Sequence, residues 1–539
     1  MAHRALVRAL LAFAFLAALA PAGGSAQATA YLPNLDPAYR DLDGLIAGGW
    51  VKSVIAGRRP YSRLTIARHV VEARAAMDGA PEPPPLRFRE ALERLERSFA
   101  PEVAALCAGG GAACAALPTG ARLRSASGDL TWAASPDRTI PSSYDTLPRI
   151  DAVLNPLFQR NEGRVLGEGG TAGVEALADV RLGSRVAAQI HPRLWITEEG
   201  AGGAGATLQE AYARALFGNF AVDVGRNHVA TGHGPSGGPI LSYNARGLDQ
   251  VRISLDRPAR LPWVFGRLGL FGGNILVADL GEETKTPHSK LVIFQGSLRP
   301  HPSFEMGAML LNHQGGEGSP PATFVARLKD VFFLHLQDSF ISDKVFGADV
   351  RLTLPAAKAQ LYLEMLTTDA RWEVVQTLTT EAVWIAGARA FGLGRDGRMD
   401  LWAEARYAGV RPHTHHHYQG GLTVDRRLIG DALGPLARGL VIGVDRRGSA
   451  HTAAASLAWE RYSNADFYGN PADERFDWVR TIDNPDEIRL RAVADWTADP
   501  GPRRLAPSVR LAWERVTRFA FTPDPRTNFL AQVRFDYAP

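Results

Sequence analysis

Apolar and polar residues alternate with a period of two along most of this chain, from about Ser125 to the C-terminus. In 185–195, Val186, Ala188, Ile190 and Leu194 alternate with Arg185, Gln189, His191 and Arg193. Val251, Ile253 and Leu255 stand between Gln250, Arg252, Ser254 and Asp256, and Leu361, Leu363 and Met365 between Gln360, Tyr362 and Glu364. Similar runs occur at 349–354, 400–406 and 487–495. A strand with one apolar and one polar face writes this pattern, and on the order of eighteen such segments can be counted. Two architectures use many alternating strands: a soluble sandwich or propeller array, and a transmembrane barrel with lipid outside and a polar lumen. Segment lengths of ~9–11 residues favour the barrel. No repeat of fixed period supports a propeller. Trp195, Tyr407, Trp459, Trp496 and Trp513 stand near segment ends, where interfacial girdles form. The last segment alternates Ala531, Val533, Phe535 and Tyr537 with polar residues just before Ala538-Pro539. The pattern predicts an all-β transmembrane barrel of about 18 antiparallel strands over 125–539.

Before it, over 31–120, the period is helical. Asp36 precedes Pro37 as an N-cap, and Leu42, Leu45 and Ile46 recur at helical spacing until Gly48-Gly49. Ser62 caps a second run carrying Ile66, Ala67, Val70 and Val71, and a third spans Leu86 to Phe99 with Ala91, Leu92 and Leu95. These predict a small N-terminal α-helical domain, bundled on the periplasmic side of the barrel.

Residues 1–30 read as an export signal: Arg4 and Arg8 start it, Ala9 to Ala20 form a short apolar run, and Gly24-Ser25-Ala26 or Ala28-Thr29-Ala30 offers the cleavage point. No later stretch approaches the ~18 apolar residues of a membrane-spanning helix. Cys107 and Cys114, brought by export into an oxidising compartment, are expected to form a local disulfide. The charge balance, 60 basic against 56 acidic residues with a net +4, argues against nucleic acid as a partner.

Chemistry concentrates in 224–245, Val-Gly-Arg-Asn-His-Val-Ala-Thr-Gly-His-Gly-Pro-Ser-Gly-Gly followed by Pro-Ile-Leu-Ser-Tyr-Asn-Ala, which follows a strand and is too glycine-rich to be one itself. It lacks the Gly-Lys-Ser/Thr of a phosphate loop and the His-Glu-x-x-His frame of a zinc protease. A hydrolase reading would use Ser236 or Ser242 with His228 or His233 and Asp249, without the usual Gly-x-Ser-x-Gly elbow. The preferred reading is a loop folded inward to constrict the lumen. Sugar sites use aromatic faces for rings, and Arg or Asn for hydroxyls and carboxylates. Arg226, Asn227, His228, His233, Tyr243 and Asn244 are therefore the candidate polysaccharide-binding or lumen-loop residues. His413, His415, His416 and His417 are a weak metal candidate, more simply an exposed loop with incidental histidines. No cofactor is expected.

The stretch from Gly225-Arg226-Asn227-His228 through Gly232-His233-Gly234-Pro235-Ser236 to Leu241-Ser242-Tyr243-Asn244-Ala245 resembles the corresponding segment of the Wzi family of capsule-assembly proteins. Asp36 to Leu45 and Gly57 to Arg63 resemble that family's N-terminal helices. The turn here reads Gly-His-Gly-Pro-Ser where Trp-Gly-Pro-Gly is commoner, and the C-terminal aromatic is not the last residue. The resemblance implies an outer-membrane barrel of about eighteen strands with a periplasmic helical head, a surface lectin without catalysis that holds capsular or other extracellular polysaccharide on the cell, as a monomer in outer-membrane lipid. The alternative is a porin or transporter for anions or oligosaccharides, its lumen lined by Arg185, Arg193, Arg351 and Arg489.

Overall fold

The computed structural model describes residues 27–106, 117–135, 137–139, 150, 152–198, 203–332, 341–368, 374–415, 417–418, 420–463, 465–469, 478–482, 485–499 and 504–539. Cys107, Cys114, His416 and most of the expected export signal lie outside them.

Four helices come first: α1 (Ala38–Ala47), α2 (Arg63–Asp78), α3 (Leu86–Ser98) and the short α4 (Ala100–Ala104). The capping residues act as their positions suggest. Asp36 Oδ1 accepts the amide of Ala38 (2.8 Å), and Ser62 Oγ accepts that of Thr65 (3.2 Å). Leu42, Leu45, Ile46, Ile66, Val70, Phe88, Leu92 and Phe99 close one apolar core between the helices. Ala28 to Ala30 are buried too, with the Ala28 amide donating to Ser184 O (2.7 Å), so the second expected cleavage point lies in a segment docked against the barrel.

Eighteen antiparallel strands follow and close on themselves. They are β1 (Gly120–Ala134), β2 (Gly169–Leu182), β3 (Val186–Thr197), β4 (Ala204–Phe217), β5 (Phe220–Asn227) and β6 (Leu248–Leu255). Next are β7 (Leu270–Asp279), β8 (Lys290–His301), β9 (Phe304–Gln314), β10 (Ser342–Leu354), β11 (Ala359–Thr368) and β12 (Val383–Leu393). The last are β13 (Met399–Ala408), β14 (Ala437–Arg447), β15 (His451–Tyr462), β16 (Glu487–Ala498), β17 (Leu505–Thr517) and β18 (Arg526–Tyr537). Each pairs with the next, and β18 returns to β1 in a register running from Ala126↔Tyr537 to Ala134↔Phe529. Closure leaves no sheet edge, which a chain in hydrocarbon requires. No described helix is long and apolar enough to cross a membrane.

The first strand begins at Gly120, five residues before the alternation is legible. The register shifts between Leu123 and Ser125, so a bulge at Arg124 breaks the period of two. Beyond it the alternation is physical. Leu130, Val174, Ile190, Leu194, Val251, Ile253, Ile275 and Leu440 stand exposed on the outer wall, while Asp129, Glu175, Gln189, His191, Arg193 and Arg252 are buried inside. Tyr407, Trp459, Trp496 and Trp513 are exposed near the belt's edges. Trp195 is the exception: the outward residues of β3 are even-numbered, and its ring lies over Gly205. Val224, Val251 and Val277 form a cross-strand row on the lipid face. Val251→Arg is expected to cost about 2–4 kcal/mol, read as a lower urea midpoint for folding into lipid vesicles; an unchanged midpoint would put this wall in water.

Strands join mostly by short turns at one end, such as 183–185 and 302–303, with 256–269 the longer exception, and by long loops at the other, at 228–247, 315–341 and 409–436. Short turns mark the periplasmic end of such barrels. The helices pack against that end. Asp41 of α1 meets Arg87, Arg94 and Arg447 at 3.0, 2.8 and 3.1 Å, and Arg87 also reaches Asp400 of β13 at 2.9 Å.

Candidate functional site: the filled lumen and its outer loops

The glycine-rich segment starts inside a strand. Gly225 to Asn227 finish β5, paired with Gln250 to Leu248, because Gly225 takes a φ of +120° and a Cβ there would run into Ala211 O. Arg226 consequently has the parity of lipid-facing Val224. It holds Asp249 through two bonds of 2.8 Å at the rim, on the outer wall.

The loop 228–247 then turns into the lumen, and a chain from the head comes to meet it. Arg58 and Arg59 pair antiparallel with Thr231 and Ala230. Glu305 of β9 accepts the amides of Ala56 (3.1 Å) and Gly57 (2.9 Å), and Arg351 of β10 neutralises it at 2.8 Å. His233 lies against Gly57, its Nε2 2.7 Å from Asp349 Oδ1 and its amide donating to Glu364 (2.8 Å). Ser236 Oγ donates to Glu404, which Tyr362 OH also contacts at 2.9 Å. A side chain at Gly234 would occupy the place of that carboxylate.

Two further outer loops lean on the first. The amides of Glu162 and Gly163 donate to Tyr243 O (2.7 Å) and Asn244 O (2.9 Å), and that of Ser242 to Ile429 O (2.7 Å). Val229, Ile240, Leu241, Val424, Ile429 and Leu433 pack on an apolar lumen wall of Leu276, Leu291, Ile293, Leu311, Val345, Leu366 and Ile385. The outer half of the lumen wall from β7 to β12 is therefore apolar where a porin's would be wet, while Glu305, Asp349, Arg351 and Glu364 line it nearer the head. The run Leu291-Val292-Ile293-Phe294 carries the signal, since both faces of that strand meet apolar surroundings.

The expected site residues separate accordingly. Asn227 is fully buried and Tyr243 is buried beside Gly237. His228 borders a small recess with Ser242, Arg246 and Ile429. Asn244 borders another small one, between 153–161 and 427–432, together with Phe158, Gln159, Arg160, Asn161 and Arg427. Asn244 Nδ2 donates to Gly430 O (2.6 Å) and its Oδ1 accepts the Arg160 amide (3.3 Å). Arg427 donates to Val153 O (2.9 Å) and reaches Asp137 at 3.2 Å. Arg160 donates to Pro235 O (2.5 Å) and has no carboxylate within ion-pair distance among the described residues. Burial pushes its guanidinium down to about 10. Nothing local marked these arginines and amides, because distant loops bring them together.

Neither serine of the hydrolase reading meets a histidine: Ser236 is bound to Glu404 and Ser242 to Gly430 O. Nor do His413, His415 and His417 form a metal centre. Among the described residues no three His, Cys, Asp or Glu side chains converge, and His413 is buried with its ring against Gly430. Burial pushes His413 down to about 4, Asp431 opposing in part. A value below the ordinary ~6.5 means that the released loop takes a proton before the docked one, so docking of 409–436 weakens as pH falls from ~6.5 towards 4, by up to about 3 kcal/mol. His233 runs the other way. Burial lowers it, but the bond and charge of Asp349 outweigh burial and raise it, so its contribution is whole below ~6.5 and lost as pH rises through the raised value. His413→Asn is expected to remove the acid-side rise in protease cleavage of 409–436; a rise that persists would contradict this assignment.

The capsule assembly protein Wzi family model matches residues 146–457, most of the barrel and all of the inward loop. The chain belongs to the Wzi family of capsule-assembly proteins. It is an outer-membrane barrel. Its fold is similar to that of the solved Wzi of Escherichia coli, an outer-membrane protein involved in group 1 capsule assembly and described as a carbohydrate-binding β-barrel: 14% identity, TM-score 0.67, over 95% of this chain and 100% of that one. OprD of Pseudomonas aeruginosa (10% identity, TM-score 0.42, 76% and 93% covered) and OccAB1 of Acinetobacter baumannii (8%, 0.43, 77% and 96%) are more distant. No curated protein sequence matches the chain. Within this Wzi-family barrel the arginines of the porin reading are neutralised: Arg193 by Asp129 and Glu175, Arg351 by Glu305, Arg489 by Glu487 and Glu514. Arg185 is exposed at the periplasmic turn.

Proposed function

We propose that the outer loops bind an acidic extracellular polysaccharide, capsular where the host makes a capsule, and hold it at the cell surface without catalysis. The observation that carries this reading is the 153–161/427–432 recess, where Arg160 has no carboxylate within ion-pair distance among the described residues, beside the carboxamides of Gln159, Asn161 and Asn244. A guanidinium pairs with a uronate carboxylate by two bonds, and carboxamides both donate to and accept from sugar hydroxyls. The rim supports it, since Arg246 and Arg427 flank the same loops. The filled lumen argues for retention over passage.

Binding of the host's polysaccharide to the purified barrel tests the reading. A lost charged hydrogen bond is worth roughly 1.5–3 kcal/mol, so Arg160→Ala and Arg427→Ala are each expected to weaken binding about 10- to 100-fold, and Val224→Ala on the lipid face not at all. Unchanged affinity in both arginine variants would remove the recess from the account.

A further inference from the structure

The loop between β9 and β10 builds a helix, α5 (Phe324–Val331), capped by Thr323 Oγ1, which accepts the Ala326 amide (3.2 Å). One buried carboxylate fixes its place. Asp330, with no exposed surface, accepts from Asn312 Nδ2 (2.8 Å), Lys344 Nζ (2.7 Å) and Ser342 Oγ (2.5 Å). Asn312 shares the parity of outward-facing Phe304 and Met306, and Ser342 and Lys344 that of outward-facing Phe346 and Val350. All three therefore stand on the outside of the wall, near its outer rim, and the helix covers them. Phe332, just past the helix, packs against outward Phe294 of β8 with ring centroids 5.9 Å apart.

The helix turns its other side away from the protein. Phe324, Val325, Leu328 and Phe332 are 78, 57, 46 and 56% exposed. At 100° per residue they fall within an arc of about 100°, an apolar stripe. We infer that α5 lies in the outer leaflet of the membrane with this stripe among lipid acyl chains, making it a lateral lipid-binding element outside the barrel. The stripe is continuous, through Phe332 and Phe294, with the wall that already faces lipid. Exposed Lys329 flanks it with no ion-pair partner among the described residues, at the height where anionic headgroups lie. The Asp330 hub gives the arrangement its second purpose, since Asn312, Ser342 and Lys344 would otherwise present polar groups to the bilayer edge.

Photo-crosslinking in cells with a lipopolysaccharide outer leaflet tests this, using Leu328→p-benzoylphenylalanine in the full chain, with Leu440 on the lipid-facing wall as positive position and exposed Glu317 as negative. The expected result is a shift of the Leu328 band to a lipid A-reactive adduct, as at Leu440 and not at Glu317, and its loss when Asp330→Ala frees the helix from a barrel that remains folded. A Leu328 adduct with protein would assign the stripe to a protein partner, and behaviour like Glu317 would leave it in water; either overturns the inference.

Discussion

Replacing residues 228–247 with a two-residue turn is expected to change a barrel that carries no measurable current in planar bilayers into one with porin-like conductance. Asn227 and Leu248 face each other in register, so a tight turn can join β5 to β6 with the barrel circuit intact. What disappears is the centre of the lumen filling: the strand paired with Arg58 and Arg59, the Asp349 and Glu404 contacts of His233 and Ser236, and the Val229, Ile240 and Leu241 side chains on the wall. The loops at 152–168 and 409–436 lose Tyr243 O, Asn244 O and the Ser242 amide as partners. An unfilled barrel of about eighteen strands leaves an aqueous channel. Porin-like current in the intact protein, or none in the deletion, would contradict a lumen held shut by this loop.

The second large effect is Arg87→Ala. Its guanidinium is inaccessible to solvent and joins Asp41 of the head to Asp400 of the barrel. Removing one partner of a buried ion pair leaves an uncompensated charge, which costs about 3–5 kcal/mol. Asp41 would keep Arg94 and Arg447, so Asp400 bears the loss. The head should become protease-sensitive while the barrel band stays intact. Arg40, about half exposed in its pair with Asp445, provides the contrast: Arg40→Ala should change cleavage little, since exposed pairs contribute ~1 kcal/mol or less. Equal resistance of Arg87→Ala and the parent would mean that the head is held elsewhere.

The barrel and head were legible because both periodicities are local. Gln189, His191 and Arg193 alternate with Ile190 and Leu194 whatever the rest of the chain does, and Asp36 and Ser62 cap the helices that follow them. A bulge broke the pattern at Arg124 and hid the start of β1, whereas β5 runs in unbroken register past Gly225, so that Arg226 keeps the outward parity of Val224. The apolar outer half of the lumen wall from β7 to β12 was written in Leu291 to Phe294, but the alternation of neighbouring strands drew attention to a polar lumen instead. The recess was not legible at all. Arg160, Asn161, Asn244 and Arg427 come from three loops separated by eighty residues or more, and only backbone bonds between those loops, such as Gly163 to Asn244, assemble them.

The most direct test of retention is the ratio of cell-bound to shed polysaccharide in the native host, with the gene intact, deleted, restored, and restored as the Arg160→Ala, Arg427→Ala double variant. Deletion is expected to move polysaccharide into the medium without lowering total synthesis, the intact gene to reverse this, and the double variant not to, although its barrel reaches the outer membrane. A ratio unchanged by deletion would contradict anchoring by this protein.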